Sequence, residues 1–157
     1  MDYELAYRYG APSRLEEGGG LALATSGGST PEGEAAHPYF FSGFMERPDV
    51  VAAGLLAVAR VARTRFYVPP GMVVAPGGGL TRIGMLDPVA TSTAEGLRFE
   101  SFSVCCGVYA RLDVEASALD ATHCAVGVTN VDVNQPLRAA LASLRAWEPL
   151  HLGVGEE

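Results

Sequence analysis

The 157-residue chain contains no lysine, so its eleven basic residues are all arginine, set against eighteen Asp and Glu for a net charge of −7. Nucleic-acid affinity rests largely on counterion release by many Lys and Arg contacts, and an acidic chain starts with a field of the wrong sign. No nucleic-acid partner is therefore expected through this domain. Long apolar runs are missing too: the longest, Val50 to Ala59, is about half of what crosses a bilayer. The start, Met1-Asp2-Tyr3-Glu4, has no basic region leading into an apolar stretch, so neither a secretory signal nor a membrane is expected. Cysteines are few and odd in number, three, without the spacing of an extracellular disulfide framework, which points to a reducing cytoplasm. Isoleucine occurs once, at Ile83, a bias of high-GC bacterial coding that carries no mechanism.

What is present is a core. A hydrophobic fraction of 48% against 18% charged residues is that of a globular protein. A chain of this length fits a single domain, 1–157, that buries roughly 70% of its unfolded surface without disulfides or metals. Residues 3 to 9 alternate, with Tyr3, Leu5, Tyr7 and Tyr9 on one face, as a half-buried strand does. A Gly-rich turn at Gly18 to Gly20 precedes a short strand at Leu21 to Thr25, and the small, polar stretch Ser26 to Pro38 reads as an exposed loop. Pro48-Asp49 opens a helix reaching Arg65, with the acidic residue in the first turn and Arg60, Arg63 and Arg65 towards the end, in keeping with the helix dipole. Its apolar faces predict packing against a sheet.

The segment 67–88 holds Pro69, Pro70, Pro76, Pro88 and the triplet Gly77 to Gly79, and is too long for an ordinary connection. Its aliphatic residues, Met72, Val73, Val74, Leu80, Ile83, Met85 and Leu86, predict docking in a groove or on a partner, with Pro69 to Leu86 the most mobile part of the free domain. Val108 to Glu115 is the clearest strand, with Ala110, Leu112 and Val114 inward and Tyr109, Arg111 and Asp113 outward. The preceding strand changes parity between Phe99 and Phe102, which predicts a bulge or burial on both faces. Cys105, Cys106 and Gly107 then form the tight connection of an antiparallel hairpin. His123 to Val131 reads as a further strand, Asn134 as the cap of a helix Gln135 to Leu144, and Leu150 to Val154 as a closing strand.

Candidate chemistry is sparse. Cys105 and Cys106 with His123 and Cys124 have the residue types of a Cys3His zinc site or a thiol centre. Adjacent strand residues point to opposite faces, however, and structural zinc sites use spaced pairs, so the ordinary reading is small buried thiols in a crowded turn. A cysteine nucleophile needs a base, and His37, His123 and His151 qualify by type without local marking. Thr25-Ser26-Gly27-Gly28 lacks both the serine elbow and the phosphate-loop spacing. Asn130, Asp132 and Asn134 begin like a calcium loop, but Gln135 and Leu141 stand where Gly and Glu belong, leaving capping and turn roles. Arg60, Arg63 and Arg65 are candidates for an anion or partner contact, against the plain alternative of dipole complementarity. Tyr39, Phe40, Phe41 and Phe44 read as a core anchor.

Four segments carry a family likeness: LRFESFSVCCGVYARLDVEASALDATHCAVGVTNVDVN at Leu97 to Asn134, TSGG at Thr25 to Gly28, HPYFFSGF at His37 to Phe44, and LLAVARVARTRFY at Leu55 to Tyr67. Together they resemble the amino-terminal region of bacterial SWIM zinc-finger proteins, over most of the chain. The family's zinc site, a C-x-C followed at a distance by C-x-H, does not occur in these residues, so zinc is expected only in a downstream SWIM motif and no cofactor is assigned here. The resemblance implies that the chain is the amino-terminal part of a longer protein, or else a stand-alone relative. It also implies a setting beside MoxR-type ATPases and von Willebrand A proteins. The expected fold is α+β (or α/β), one mainly antiparallel sheet of about five strands packed by two helices. The expected function is a non-catalytic protein-interaction or scaffold domain. The alternative is a thiol- or zinc-dependent protein using Cys105, Cys106, His123 and Cys124.

Overall fold

A computed structural model describes residues 8–67, 70 and 86–155. Among the described residues, two helices and eleven strands in two mostly antiparallel sheets make an α+β fold. The first sheet runs β1 (Arg14–Leu15), β2 (Gly20–Leu23), β11 (His151–Val154), β5 (Phe41–Met45), β9 (Leu119–Cys124). The second runs β4 (Gly33–Ala35), β3 (Thr25–Thr30), β10 (Gly127–Val131), β6 (Val89–Thr93), β7 (Gly96–Phe102), β8 (Tyr109–Glu115). Every pairing is antiparallel except that of β11 with β2.

The strand count exceeds the sequence expectation because the chain passes between sheets at two short bends. Leu21 and Leu23 are buried in β2; after Ala24 the chain continues as β3, pairing with β10 in the other sheet. The stretch expected to be an exposed loop, Ser26 to Pro38, therefore contains a hairpin. Gly28 in β3, between β4 and β10, lies so close to the β10 backbone that a Cβ would stand 2.4 Å from Val128 O. Likewise His123 to Val131 is not one strand. It breaks after Cys124, and Gly127 starts β10 against the ring of Phe40.

One hydrophobic core spans both sheets and both helices, with Leu21, Phe41 and Leu152 from the first sheet and Leu97, Phe99 and Val131 from the second. The helix α1 (Pro48–Arg63) buries Val51, Leu55, Val58 and Ala62, and packs on β7 and β8. Gly54 sets that approach, since a Cβ there would meet Leu112 at 2.8 Å. Ser101, buried in β7, donates its hydroxyl to Val58 O of the helix at 2.7 Å. The change of parity expected in β7 does not occur. Its pairing with β8 is regular from Gly96 to Phe102, so Leu97, Phe99 and Ser101 face inward while Phe102 lies outside on Tyr109.

The second helix, α2 (Gln135–Ser143), starts where expected. Asn134 Oδ1 accepts from Leu137 N–H at 2.9 Å, while its amide donates to Ser13 O at 2.9 Å and Asp132 Oδ2 at 2.7 Å. One side chain thus caps the helix and ties it to Ser13, just before β1, and to Asp132, just after β10. Asn134→Ala is expected to cost about 1–2 kcal/mol, the upper part of the range for a lost cap, measured as a lower denaturation midpoint at unchanged m-value. The expected strand at 3 to 9 and the segment Pro69 to Leu86 lie largely outside the described residues. No helix among the described residues is long and apolar enough to cross a membrane.

Candidate functional site

The four residues of the zinc or thiol alternative are not brought together. Cys105 and Cys106 sit in the turn beyond Phe102, at one end of β7, whereas Cys124 Sγ donates to Thr93 O at 3.6 Å, beside the other end. β7 has 7 residues, which at about 3.3 Å each separates its ends by roughly 20 Å. His123 lies with Cys124 on β9, its ring stacked on Tyr39 at 4.2 Å between centroids. Among the described residues no group of three or more His, Cys, Asp or Glu could hold a metal ion. Nor are the cysteines uniformly buried as expected: Cys105 is half-buried and Cys106 exposed in the hairpin turn, and Cys124 is exposed at the end of the edge strand β9.

The other histidines have local partners. His37 Nδ1 lies 3.0 Å from Thr25 O, and His151 Nε2 lies 3.1 Å from Ser42 Oγ on the outer face of the first sheet. The Ser42–His151 pair lacks an orienting acid: no hydrogen bond joins His151 to a carboxylate among the described residues. Of the aromatic anchor, Phe40 and Phe41 are in the core, while Phe44 is exposed and Tyr39 half-buried.

The arginine trio does not act as one patch. Arg63 Nη2 pairs with Asp87 Oδ1 at 2.8 Å, whose other oxygen accepts from the Tyr9 hydroxyl at 3.1 Å. Arg60 is exposed on α1 and Arg65 half-buried in the segment after it. The guanidinium that sits near Arg63 is Arg138, its pKa lowered by burial and then by the Arg63 charge, with Nη1 donating to Val133 O at 2.6 Å. Arg63 is thereby a structural cation between α1 and the approach to β6, and its Nη1 is buried without a hydrogen-bond partner.

What does converge lies at the end of the β7–β8 hairpin. Val104 N–H donates to Thr64 O at 3.0 Å, so the segment leaving α1 runs alongside the turn. Phe66 and Tyr67 on that segment, and Phe102 and Tyr109 on the strand ends, are exposed by 56%, 59%, 51% and 47%. The Phe102 and Tyr109 rings stand 5.0 Å apart. Farther along the same outer face, Arg98 pairs with Asp113 at 2.9 Å, so the apolar end borders a charged ladder. In the turn itself Cys106 adopts φ 56°, a left-handed conformation uncommon outside glycine and asparagine. The Cys105 thiol has its pKa lowered to about 6, chiefly by the Ser103 hydroxyl, then by the Gly107 N–H, against an opposing effect of burial, with lesser contributions from the Phe66 and Tyr67 N–H groups.

The cysteines of this end and the outward position of Tyr109 are legible in the sequence; the exposure of Phe66, Tyr67 and Phe102 is not. The apparent parity change at Phe102 implies a bulge or burial on both faces of β7, and Phe66 and Tyr67 fall where helix gives way to loop. Only the strict alternation of β8, carried across the hairpin to β7, holds the signal that Phe102 faces out. Compared with known proteins, this chain matches no family model, no curated protein and no solved structure.

Proposed function

We propose that the chain is a non-catalytic protein-interaction domain of SWIM type, and that the end formed by Phe66, Tyr67, Phe102 and Tyr109 is its contact surface. The observation that carries this reading is the exposed pair Phe102 and Tyr109, its rings 5.0 Å apart, at a hairpin end alongside the segment that bears exposed Phe66 and Tyr67. Contiguous exposed apolar surface bordered by charge is characteristic of interaction sites, and aromatic residues are enriched in their centres. The scattered histidines, the separated thiols and the self-contained Arg63–Asp87 pair support binding rather than catalysis. Following the resemblance, the partners to try are a MoxR-type ATPase and a von Willebrand A protein. Neither nucleic acid nor a membrane enters the proposal, and no cofactor does.

Titration calorimetry with each purified candidate tests it. The wild-type chain is expected to bind one of them, and the Phe102→Ser/Tyr109→Ser variant to bind it at least 30-fold more weakly, the effect of losing about 2 kcal/mol at a hot spot. Both rings are exposed, so the melting temperature should barely change. Binding unaffected by the double substitution, or no binding to either protein, overturns the reading.

A further inference from the structure

Among the described residues the two sheets end on β1 and β9 in the first and on β4 and β8 in the second. An open edge invites pairing with another chain, and folds ordinarily blunt it by shortness, a bulge, proline or an inward-facing charge. β1 has 2 residues and β4 has 3, and the pairing of β9 with β5 shifts register between Ser42 and Gly43. β8 has none of these defences: its 7 residues, YARLDVE, include no proline, keep one register with β7, and turn only Ala110, Leu112 and Val114 inward. Its free side follows from the ladder. Ser103 N–H donates to Val108 O and Ala116 N–H to Glu95 O, both at 2.8 Å, so the even-numbered residues of this stretch bond to β7. In an antiparallel pair the alternate residues point their N–H and C=O groups the other way. The main-chain groups of Tyr109, Arg111, Asp113 and Glu115 therefore line the outer edge, and among the described residues no other segment hydrogen-bonds to them.

We propose that two copies of this chain associate edge to edge through β8, antiparallel about a twofold axis at Leu112, joining their six-stranded sheets into one. Pairing over the whole strand sets Arg111 opposite Asp113 of the second copy, Tyr109 opposite Glu115, and Leu112 opposite itself, the self-complementary contact of a twofold dimer. Odd residues then meet odd residues, so the outward main-chain groups bond to one another, while Ala110 and Leu112 meet Val114 and Leu112 on the inner face. Charge decides the occupant. On the outer face of each copy Glu100 stands opposite Arg111 and Arg98 opposite Asp113, with Arg98 and Asp113 2.9 Å apart and Arg111 also paired with Asp113 along the strand. The seam continues this alternation: the row Glu100, Arg111 runs on into Asp113 and Arg98 of the second copy, and the row Arg98, Asp113 into its Arg111 and Glu100. Opposite charges facing each other across strands are favourable, and like charges are not. Slipping by two residues either way brings Arg111 against Arg111 or Asp113 against Asp113, so the same side chains select one register. Charges that shield this edge from other strands thus complement a second copy. The contact does not rest on the interaction reading above and shares only Tyr109 with that surface.

Sedimentation equilibrium of the full chain tests this, with Arg111→Asp and Asp113→Arg made separately. The wild-type chain is expected to dimerise, and each substitution, which sets like charges across the seam, to weaken the dimer by about tenfold or more. Asp113→Arg is the sharper case, because it reduces the net negative charge and by general repulsion alone would ease association. An equimolar mixture of the two variants again faces acidic with basic side chains at both positions, and should regain most of the wild-type affinity. Should either charge variant fail to fold, Arg111→Pro decides: the N–H it removes points off the sheet, so the ladder with β7 stays while the seam loses a donor and the dimer should be lost. A wild-type chain that is monomeric at its highest soluble concentration overturns the proposal. So does a dimer that survives these substitutions, or a mixture that associates no more tightly than its components.

Discussion

Phe99→Ala is expected to destabilise the fold by about 3–5 kcal/mol, the usual cost of truncating a fully buried aromatic ring. Phe99 is 0% exposed in the middle of β7 and belongs to the core that both sheets and both helices share. Its loss removes apolar area from the layer under α1 and leaves a cavity that regular pairing on both sides of β7 cannot collapse. Set against the roughly 5–15 kcal/mol that holds a domain together, this is a large share. A chain of this size should melt about 10 °C lower or more. The comparison with Phe102→Ala on the same strand makes the measurement specific. If β7 keeps one register throughout, Phe102 is an outer residue and its removal should cost less than about 1 kcal/mol. Comparable losses at both positions would mean that β7 buries both faces.

That contrast also marks where sequence and structure part. The parity of β8 was legible because its outward residues, Tyr109, Arg111, Asp113 and Glu115, are polar or amphipathic and its inward ones apolar. The parity of β7 was obscured because Ser101 occupies an inward position and Phe102 an outward one. Ser101 is tolerated inside by its hydrogen bond to Val58 O, a partner 43 residues away that no local pattern reveals. The helices were legible for the opposite reason: Asp49 in the first turn of α1 and Asn134 before α2 act on their own backbone neighbourhoods. The second sheet was not, since the bends at Ala24 and after Cys124 carry no proline or Asn-Gly signal, and Gly27 and Gly28 look like loop residues. At the candidate site the thiols were visible as residue types. The lowered pKa of Cys105 was not, because its lesser causes include the backbone N–H groups of Phe66 and Tyr67, nearly forty residues upstream.

The bend after Cys124 is also where one methyl group should do the most damage. Gly127→Ala is expected to destabilise the chain by about 3 kcal/mol or more, at the upper end of what overpacking costs. A Cβ at Gly127 would stand 2.1 Å from Phe40 Cε1 and 2.3 Å from Phe40 Cζ, and Phe40 is itself 1% exposed. The ring has little room to retreat. Phe40 N–H donates to Val154 O and its carbonyl accepts from Ala125 N–H, both at 2.8 Å, fixing its backbone between the last strand and the bend. The methyl must therefore displace either a buried ring or the start of β10, where the chain joins the second sheet. Gly27→Ala is the control, since its Cβ would meet only Ala35 O at 3.9 Å; it should change stability by no more than about 0.5 kcal/mol. If the clash with Phe40 is the cause, Phe40→Leu combined with Gly127→Ala should be more stable than the sum of the two single losses predicts, a coupling measurable in a double-mutant cycle. Strict additivity would place the cost in the backbone of the bend instead, and the contact with Phe40 would then not be what requires glycine there.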